Sequence, residues 1–253
     1  MALIKTKEEI SLMRKASKVW AAVMEELKEK AQPGVMLKEL DGLAQKRIES
    51  AGMTPGFLGY KPSWDHRAYP ATLCTSVNEV VVHGVPSDYE LREGDILSID
   101  MGVKHQGYNC DAAVTIPIGK ISAKAHNLLA VTEGALERGL KAIKPTNTLG
   151  DLGYAIQSFV EEHGMSIVQS LTGHGIGQKL HEEPMVLNEG SPGEGMRLEA
   201  GMCLAIEPMV SLGSNQIKKL ADGAYSTKDD SLSAHFEHTV VVTESGVEIL
   251  TKV

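Results

Sequence analysis

Hydrophobic residues near the beginning of the chain recur at the spacing of an α-helix. They occupy positions 10, 13, 16, 19, 20, 23, 24 and 27, which share one face of a helix with 3.6 residues per turn. Thr6 and Glu9 precede this run with the spacing of a capping box, in which each side chain bonds the backbone N–H of the other residue. Pro33 and Gly34 follow the run and favour a turn. We therefore predict a long first helix between Thr6 and Pro33.

The same combination of apolar spacing and turn residues divides the rest of the chain. Three more helices are predicted, over residues 37–50, 122–143 and 148–163, and Gly52, Pro145 and Gly164 follow their ends. Strands are predicted over residues 71–82, 95–116, 166–171, 202–210 and 235–250. Two helices followed by strands thus occur twice along the chain, which indicates an internal repeat.

The repeat is also visible in the residues themselves. A shift of 112 aligns residues 33–53 with 145–165 and gives seven identities, where average residue usage gives roughly one or two. A shift of 107 aligns 91–100 with 198–207 and superposes Asp100 on Glu207. Aligning 110–115 with 236–241 superposes Asp111 on Glu237. We predict one domain over residues 1–253, built from two duplicated α/β halves at about 1–118 and 119–253.

Two of these acids interrupt apolar strand segments. Asp100 and Asp111 lie on either side of the sequence KHQG, and a hairpin turn centred between His105 and Gln106 would place them directly opposite each other, with Cβ atoms roughly 4.5–5.5 Å apart. Carboxylates about 5 Å apart repel by roughly 3 kcal/mol at an effective dielectric near 20, and a divalent cation between them reverses the sign. A β-bulge would change this register.

The alternative is that these acids are ordinary solvated residues of the strands. That alternative does not account for four acids at equivalent positions of a repeat, namely Asp100, Asp111, Glu207 and Glu237. We therefore predict that the four form one metal site.

Three histidines lie in segments rich in turn residues. His174 and His181 belong to TGHGIGQKLHEEP, and His83 belongs to NEVVVHGVP. Glycines beside a histidine allow positive φ and close approach to a ligand, and functional groups concentrate in loops at the ends of strands. The other histidines are expected to be satisfied core or surface residues: His66, His105, His126, His163, His235 and His238.

Composition restricts the classes of function. The net charge of −8 argues against a nucleic-acid or anionic-membrane surface, although a local basic site remains compatible with it. The three cysteines lack C-x-x-C spacing, so neither a disulfide framework nor a cysteine zinc site is indicated. No apolar run has the length of a signal peptide or a membrane span. We expect a reduced, cytoplasmic protein.

Five separated blocks of the chain together resemble the methionine aminopeptidases, in their short bacterial type I form. The blocks are NEVVVHGVP, SIDMGVKHQGYNCDAAV, TGHGIGQKLHEEP, AIEPMV and SLSAHFEHT. The resemblance covers the whole chain and implies an α/β (α+β) fold of the duplicated pita-bread type, with an antiparallel sheet core and helices outside. It also implies a hydrolase that removes N-terminal methionine from newly made proteins. Nascent polypeptides are the implied partners, with the ribosome as a further candidate, and we expect a monomer.

The resemblance also implies roles for individual residues. The metal ligands would be Asp100, Asp111, His174, Glu207 and Glu237, with Asp111 and Glu237 bridging two divalent ions. Manganese, iron, cobalt and zinc all suit these donors, and such a pair generates hydroxide from water near neutral pH.

The resemblance implies further roles in the reaction and in the substrate pocket. Glu207 would move the proton of the attacking water, His181 would stabilise the oxyanion, and His83 would help to protonate the leaving amine. His83 and His181 would contact the substrate, with Tyr60 and Leu180 nearby.

The chain departs from the family at the methionine pocket. Leu180 stands where relatives have an aromatic residue, Ala224 stands where they have the tryptophan of DGW, and the stretch between residues 60 and 74 is longer. One interpretation is compensated drift, with Trp64, Tyr69 or Tyr225 filling the space. The other is a wider pocket that accepts further residues.

Two other functions compete with this assignment. A Xaa-Pro dipeptidase or aminopeptidase shares the fold and similar ligands, but usually has an additional N-terminal domain before its catalytic unit. A binding protein that kept the fold and lost its metals would lack ligands, whereas all five are present here.

Overall fold

The computed structural model of the protein describes residues 3–61 and 67–252. Trp64 and His66 lie outside the described residues. The helices are α1 (Lys7–Lys30), α2 (Leu37–Ser50), α3 (Ala123–Ala142) and α4 (Leu149–Glu162). All four predicted helices are thus confirmed to within a residue or two at each end. Among the described residues, no helix is both long and apolar enough to cross a membrane.

Capping explains where the helices begin. Thr6 Oγ1 accepts a hydrogen bond from the Glu9 N–H at 3.2 Å, and Glu9 Oε2 accepts one from the Thr6 N–H at 2.7 Å, so the predicted capping box is confirmed. Thr148 and Asp151 form a second capping box at the start of α4. These bonds satisfy N–H groups that have no partner inside the helix.

Short strands make up the remaining regular structure. Their bounds are β1 (Thr54–Pro55), β2 (Leu73–Val77), β3 (Val80–Val82), β4 (Ile96–His105), β5 (Tyr108–Pro117), β6 (Ser166–Ile167), β7 (Gly173–Gly175), β8 (Glu182–Val186), β9 (Cys203–Ile206), β10 (Met209–Ser211), β11 (Ile217–Lys219), β12 (Tyr225–Thr227), β13 (Ser233–His235), β14 (His238–Thr243) and β15 (Gly246–Ile249). Most predicted strand segments are interrupted by turns and become two or three strands. The sequence pattern missed β1, β7, β8, β11 and β12, because two to five residues are too few to show an alternating period.

The hairpin of β4 and β5 corrects the predicted register. Its loop is the two residues Gln106 and Gly107, with φ of 47° and 89°, as in a type I′ turn, which needs positive φ at both positions. The turn is therefore centred one residue later than predicted. Asp100 lies opposite Ala113, and Asp111 lies opposite Gly102, so the prediction that the two acids are directly opposed is wrong. They are diagonal neighbours on the same face of the hairpin, because positions two apart on a strand share a face.

Two sheets carry the residues of interest. In one, β4 pairs with β1, β2 and β5, and in the other the order is β15-β14-β9-β7-β8. All pairings between the described strands are antiparallel. The sheets meet where the Glu237 N–H donates to the Ala113 carbonyl at 2.9 Å and the Ala113 N–H donates to the Glu237 carbonyl at 3.4 Å. Thr239 Oγ1 reinforces this junction by accepting from the Asp111 N–H and donating to the Asp111 carbonyl.

The helices cover these sheets from outside. One hydrophobic cluster joins α1 and α2 to β4 and β5 and includes the fully buried Trp20, whose indole N–H donates to the Ala112 carbonyl. A second cluster joins α3 and α4 to β9 and β14. This arrangement confirms the predicted class, an α/β fold with antiparallel sheets and external helices. The two clusters therefore pack against the strands that meet at the junction where the acidic residues lie.

Candidate metal centre

Four carboxyl groups converge at the junction of the sheets. Two lie within strands and two lie next to strand ends. Asp100 is on β4 and Asp111 on β5, whereas Glu207 follows β9 directly and Glu237 immediately precedes β14. Asp111 and Glu237 are 4% and 2% exposed, and Asp100 is 9% exposed. The side chain of Glu207 is 13% exposed, so Glu207 is the acid nearest to solvent. The four predicted acids are therefore buried in one region of the fold.

His174 joins this group from an interior strand of the five-stranded sheet. It was expected in a turn, but it lies on β7 between β8 and β9. Gly173 and Gly175 are needed there, since a Cβ would lie 2.3 Å from the Ala205 carbonyl oxygen and 2.1 Å from the Glu183 carbonyl oxygen, respectively. Backbone packing, rather than positive φ, explains these glycines.

The tautomer of His174 follows from its hydrogen bond. Nδ1 is 2.8 Å from the carbonyl oxygen of Gly175, and a carbonyl only accepts, so Nδ1 carries the proton. Nε2 is then unprotonated, with a lone pair available to a metal ion, and it lies 3.6 Å from Glu207 Oε1. Burial lowers the pKa of His174 to about 4, which keeps the ring neutral. A neutral imidazole with a fixed tautomer is suited to metal binding.

The electrostatics of the acids favour a bound cation. Burial raises the pKa of Asp100 to about 7. Burial, followed by the charges of Glu237 and Asp100, raises the pKa of Asp111, and burial also raises the pKa values of Glu207 and Glu237. Asp100 Oδ1, Asp111 Oδ1 and Glu237 Oε1 are buried without a hydrogen-bond partner, a condition that costs free energy unless a cation compensates.

These donors fit the divalent ions that the sequence predicts. Among the described residues, the ligand atoms of Asp111, His174 and Glu237 lie within 4.8 Å of one another. A second group, formed by Glu207, His235 and Glu237, meets the same criterion. Carboxylate oxygens and imidazole nitrogens are the donors that manganese, iron, cobalt and zinc accept.

His235 is the member of these groups that sequence reasoning missed. It was expected to be satisfied, yet its Nε2 is buried and has no hydrogen-bond partner, so that expectation is wrong. His235 ends β13, two positions before Glu237. In a strand, positions two apart share a face, so this spacing is the signal that could have identified it from the sequence. The neighbouring His238 does bond, through Nδ1, to Thr251 Oγ1 at 3.0 Å.

His181 and His83 flank the acidic group. The ring of His181 lies 4.4 Å from the ring of His174, centroid to centroid, and its Nδ1 is 2.7 Å from the Tyr60 hydroxyl. Burial is the main cause that lowers the pKa of His181 to about 3. His83 follows β3 with φ of 62°, and its ring makes an edge contact with Tyr225 at 5.9 Å.

The predicted pocket residues surround these histidines. Leu180 is 3% exposed and belongs to a hydrophobic cluster with Phe57, against which Tyr60 and Tyr69 pack. The Tyr69 hydroxyl donates to the carbonyls of Leu73 and Gly84, so it braces the segment that carries His83. Ala224 is buried directly before β12.

The likenesses to known proteins agree with this geometry. Residues 11–244 match metallopeptidase family M24. The chain is 45% identical to methionine aminopeptidase 1 of Bacillus subtilis over the full length of both chains. It is 46% identical to a methionine aminopeptidase of Clostridium perfringens over 99% of each.

A solved structure shows the same fold. The crystal structure of methionine aminopeptidase from Thermotoga maritima covers the whole chain with a TM-score of 0.96 at 42% identity. The fold is therefore the pita-bread fold of these hydrolases, as the sequence blocks predicted. The chain belongs to metallopeptidase family M24 and, within it, to the methionine aminopeptidases.

Proposed function

We propose that this protein removes the N-terminal methionine of nascent polypeptides with two divalent metal ions. Asp100, Asp111, His174, Glu207 and Glu237 would hold the ions. Asp111 and Glu237 lie at the centre of this set, since they are the least exposed of the four acids and come from segments that hydrogen-bond across the junction. When bound, the ions would lower the pKa of water and polarise the scissile carbonyl.

Glu207 is placed to move the proton of the attacking water. Burial, followed by the charges of Asp111 and Asp100, raises the pKa of its carboxyl group, and a raised pKa favours a carboxylate that accepts a proton. Glu207 is also more exposed than Asp111 or Glu237, which supports a position on the side open to water and substrate.

His181 would stabilise the oxyanion of the tetrahedral intermediate. The lowered pKa of its ring means that it acts as a neutral imidazole, which donates from only one nitrogen. The Tyr60 hydroxyl can donate to Nδ1, at 2.7 Å, and the proton then resides on Nε2. Tyr60 is thus a positioning residue that fixes the tautomer in which His181 donates to the substrate.

His83 would contact the scissile amide nitrogen and assist the leaving amine. Its positive φ places it in a strained region for a residue with a Cβ, and strain of this kind persists where surrounding contacts fix it. The contacts here include the Tyr225 ring and the Tyr69 hydroxyl bond to the adjacent Gly84. Leu180 and Tyr60 would contribute to the methionine pocket.

We further infer where and in what form the protein acts. The proposed substrate is made by translation, so we expect a cytoplasmic protein that meets nascent chains at or near the ribosome. We also expect it to be a monomer. The net charge of −8 supports neither a nucleic-acid nor a membrane partner. The division into two halves at about residues 118 and 119 remains a proposal, supported by the two separate hydrophobic clusters.

The buried acids with unpartnered oxygens carry the proposal, and metal reconstitution tests it. Protein treated with a chelator should not cleave the peptide Met-Ala-Ser, and two equivalents of manganese or cobalt should restore cleavage. His83→Ala and His181→Ala should reduce kcat while metal content stays unchanged. Lost metal in either variant would make that histidine a ligand, and a fully active chelated protein would refute the two-metal proposal.

A further inference from the structure

His235, at the end of β13, has a buried ring nitrogen with no hydrogen-bond partner. It is 1% exposed, and its Nε2 has no hydrogen-bond partner. Nε2 lies 3.7 Å from Glu207 Oε2 and 3.8 Å from Glu237 Oε2. Both distances exceed the range of a hydrogen bond, which ends near 3.2 Å. A buried nitrogen beside two carboxylates, yet bonded to neither, needs an explanation.

The spacing of these atoms is that of ligands around a shared ion. Two donor atoms that are each about 2.1 Å from one metal are separated by no more than about 4.2 Å. The distances of Nε2 from both glutamate oxygens fall within this limit. The two oxygens of Glu207 face different imidazoles, Oε1 facing His174 at 3.6 Å and Oε2 facing His235.

The backbone of His235 is fixed by hydrogen bonds to β5. Its N–H donates to Thr115 Oγ1 at 2.9 Å, and its carbonyl accepts from the same hydroxyl at 2.8 Å. Thr115 is on β5, the strand that also carries Asp111. The backbone that carries the imidazole is therefore fixed by the strand that also carries Asp111, a proposed metal ligand, and such support is usual for ligands.

We infer that His235 is a second imidazole ligand of the metal centre, next to Glu207 and Glu237. This inference rests on the proposed function, because it adds a donor to the same two-metal site. With His235 included, the site has six ligand groups, two of them imidazoles, instead of five ligand groups with one imidazole. Nitrogen donors favour zinc and cobalt relative to manganese, for which oxygen donors suffice. This chain should therefore bind zinc more tightly, relative to manganese, than a site with His174 alone.

The test counts imidazoles on zinc directly by X-ray absorption at the zinc edge. Full-length protein loaded with two zinc ions should show on average one imidazole per zinc, from His174 and His235 together. His235→Gln, which nearly preserves side-chain size, should show one-half. His238→Gln is the matched control on the adjacent strand, and its count should stay at one, because His238 bonds Thr251 instead. Titration calorimetry should show that His235→Gln weakens zinc binding at least tenfold and manganese binding less.

Each outcome has one meaning. A wild-type count of one-half places His235 outside the coordination shell and overturns the inference, whether or not the His235→Gln variant folds. A count of one that persists in a folded His235→Gln variant overturns it as well. Wild-type protein that binds no zinc, manganese or cobalt would instead overturn the proposed function itself.

Discussion

Asp100 offers a quantitative test of the electrostatic basis of the site. Its carboxyl group is buried, and its pKa is raised from 3.8 to about 7, chiefly by burial. Asp100→Asn keeps the shape of the side chain but removes the titration. The prediction concerns the protein after divalent ions have been removed with a chelator, when these groups interact only with protein atoms and water.

The sign follows from proton linkage. A carboxyl whose pKa is raised on folding binds its proton more tightly in the folded protein, so its contribution to stability is complete below the unfolded pKa and is lost as pH rises towards the folded pKa. For Asp100 the window runs from about pH 4 to pH 7. A shift of about three units, at 1.36 kcal/mol per unit, amounts to about 4 kcal/mol.

The measurement is the difference in unfolding free energy between Asp100→Asn and wild type. Urea unfolding, followed by fluorescence that includes the buried Trp20, gives this free energy at pH 5 and pH 7. Relative to the wild type, the variant should gain about 2 kcal/mol of unfolding free energy between pH 5 and pH 7, because the folded-state carboxyl is half ionised at pH 7. His174, His181 and His235 also have lowered pKa values, but they are present in both proteins, so their contribution cancels.

Two controls sharpen the result. Asp88→Asn makes the same substitution at an aspartate whose side chain is 77% exposed, and it serves as the matched control away from the site. Saturating manganese should shift the difference in favour of the wild type, because an ion at one hundred times its Kd stabilises the folded wild type by about 2.7 kcal/mol. If the difference for Asp100→Asn stays constant from pH 5 to pH 7, the carboxylates are ionised in the fold without cost, and the argument that they require cations fails.

Three further predictions concern other parts of the site. Tyr60→Phe removes the hydrogen bond to His181 and should lower kcat on Met-Ala-Ser about tenfold, equivalent to 1.4 kcal/mol, with metal content unchanged by elemental analysis; an unaltered kcat would show that Tyr60 does not position the ring. Gly175→Ala places a Cβ 2.1 Å from the Glu183 carbonyl oxygen and should destabilise the protein by about 3 kcal/mol in urea unfolding, whereas wild-type stability would mean that β7 and β8 can separate at little cost. Because Leu180 is closely packed, Met-Ala-Ser should be preferred over Leu-Ala-Ser and Ala-Ala-Ser at least tenfold in kcat/KM, and equal rates would support the wider pocket.

The helices and the acids of the site could be predicted from sequence for local physical reasons. Capping residues such as Thr6 and a long 3.6-residue period are signals that tertiary contacts rarely override. The four acids were noticeable because ionisable groups are unusual within apolar strand segments. Their burial in one region of the fold agrees with that reasoning.

The errors have equally local causes. Gln106 and Gly107 both adopt positive φ and form the turn. The residue opposite Asp100 is therefore Ala113, two positions beyond the predicted Asp111, although both acids lie on one face. His174 lies on a strand of only three residues, which no periodicity can reveal. His235 was set aside because its sequence neighbours do not show that two glutamates from distant segments approach its ring.

The hydrogen bonds between Ala113 and Glu237 have a consequence for the order of folding events. They join segments more than 120 residues apart, so we expect the proposed metal ligands of the two halves to come together after the local contacts within each helix-covered sheet. An ion would then bind only late in folding, after most of the barrier is crossed. Metal added during refolding should leave the folding rate nearly unchanged and slow unfolding instead, since it stabilises contacts absent from the transition state. The metal would then protect the finished enzyme rather than assist its assembly.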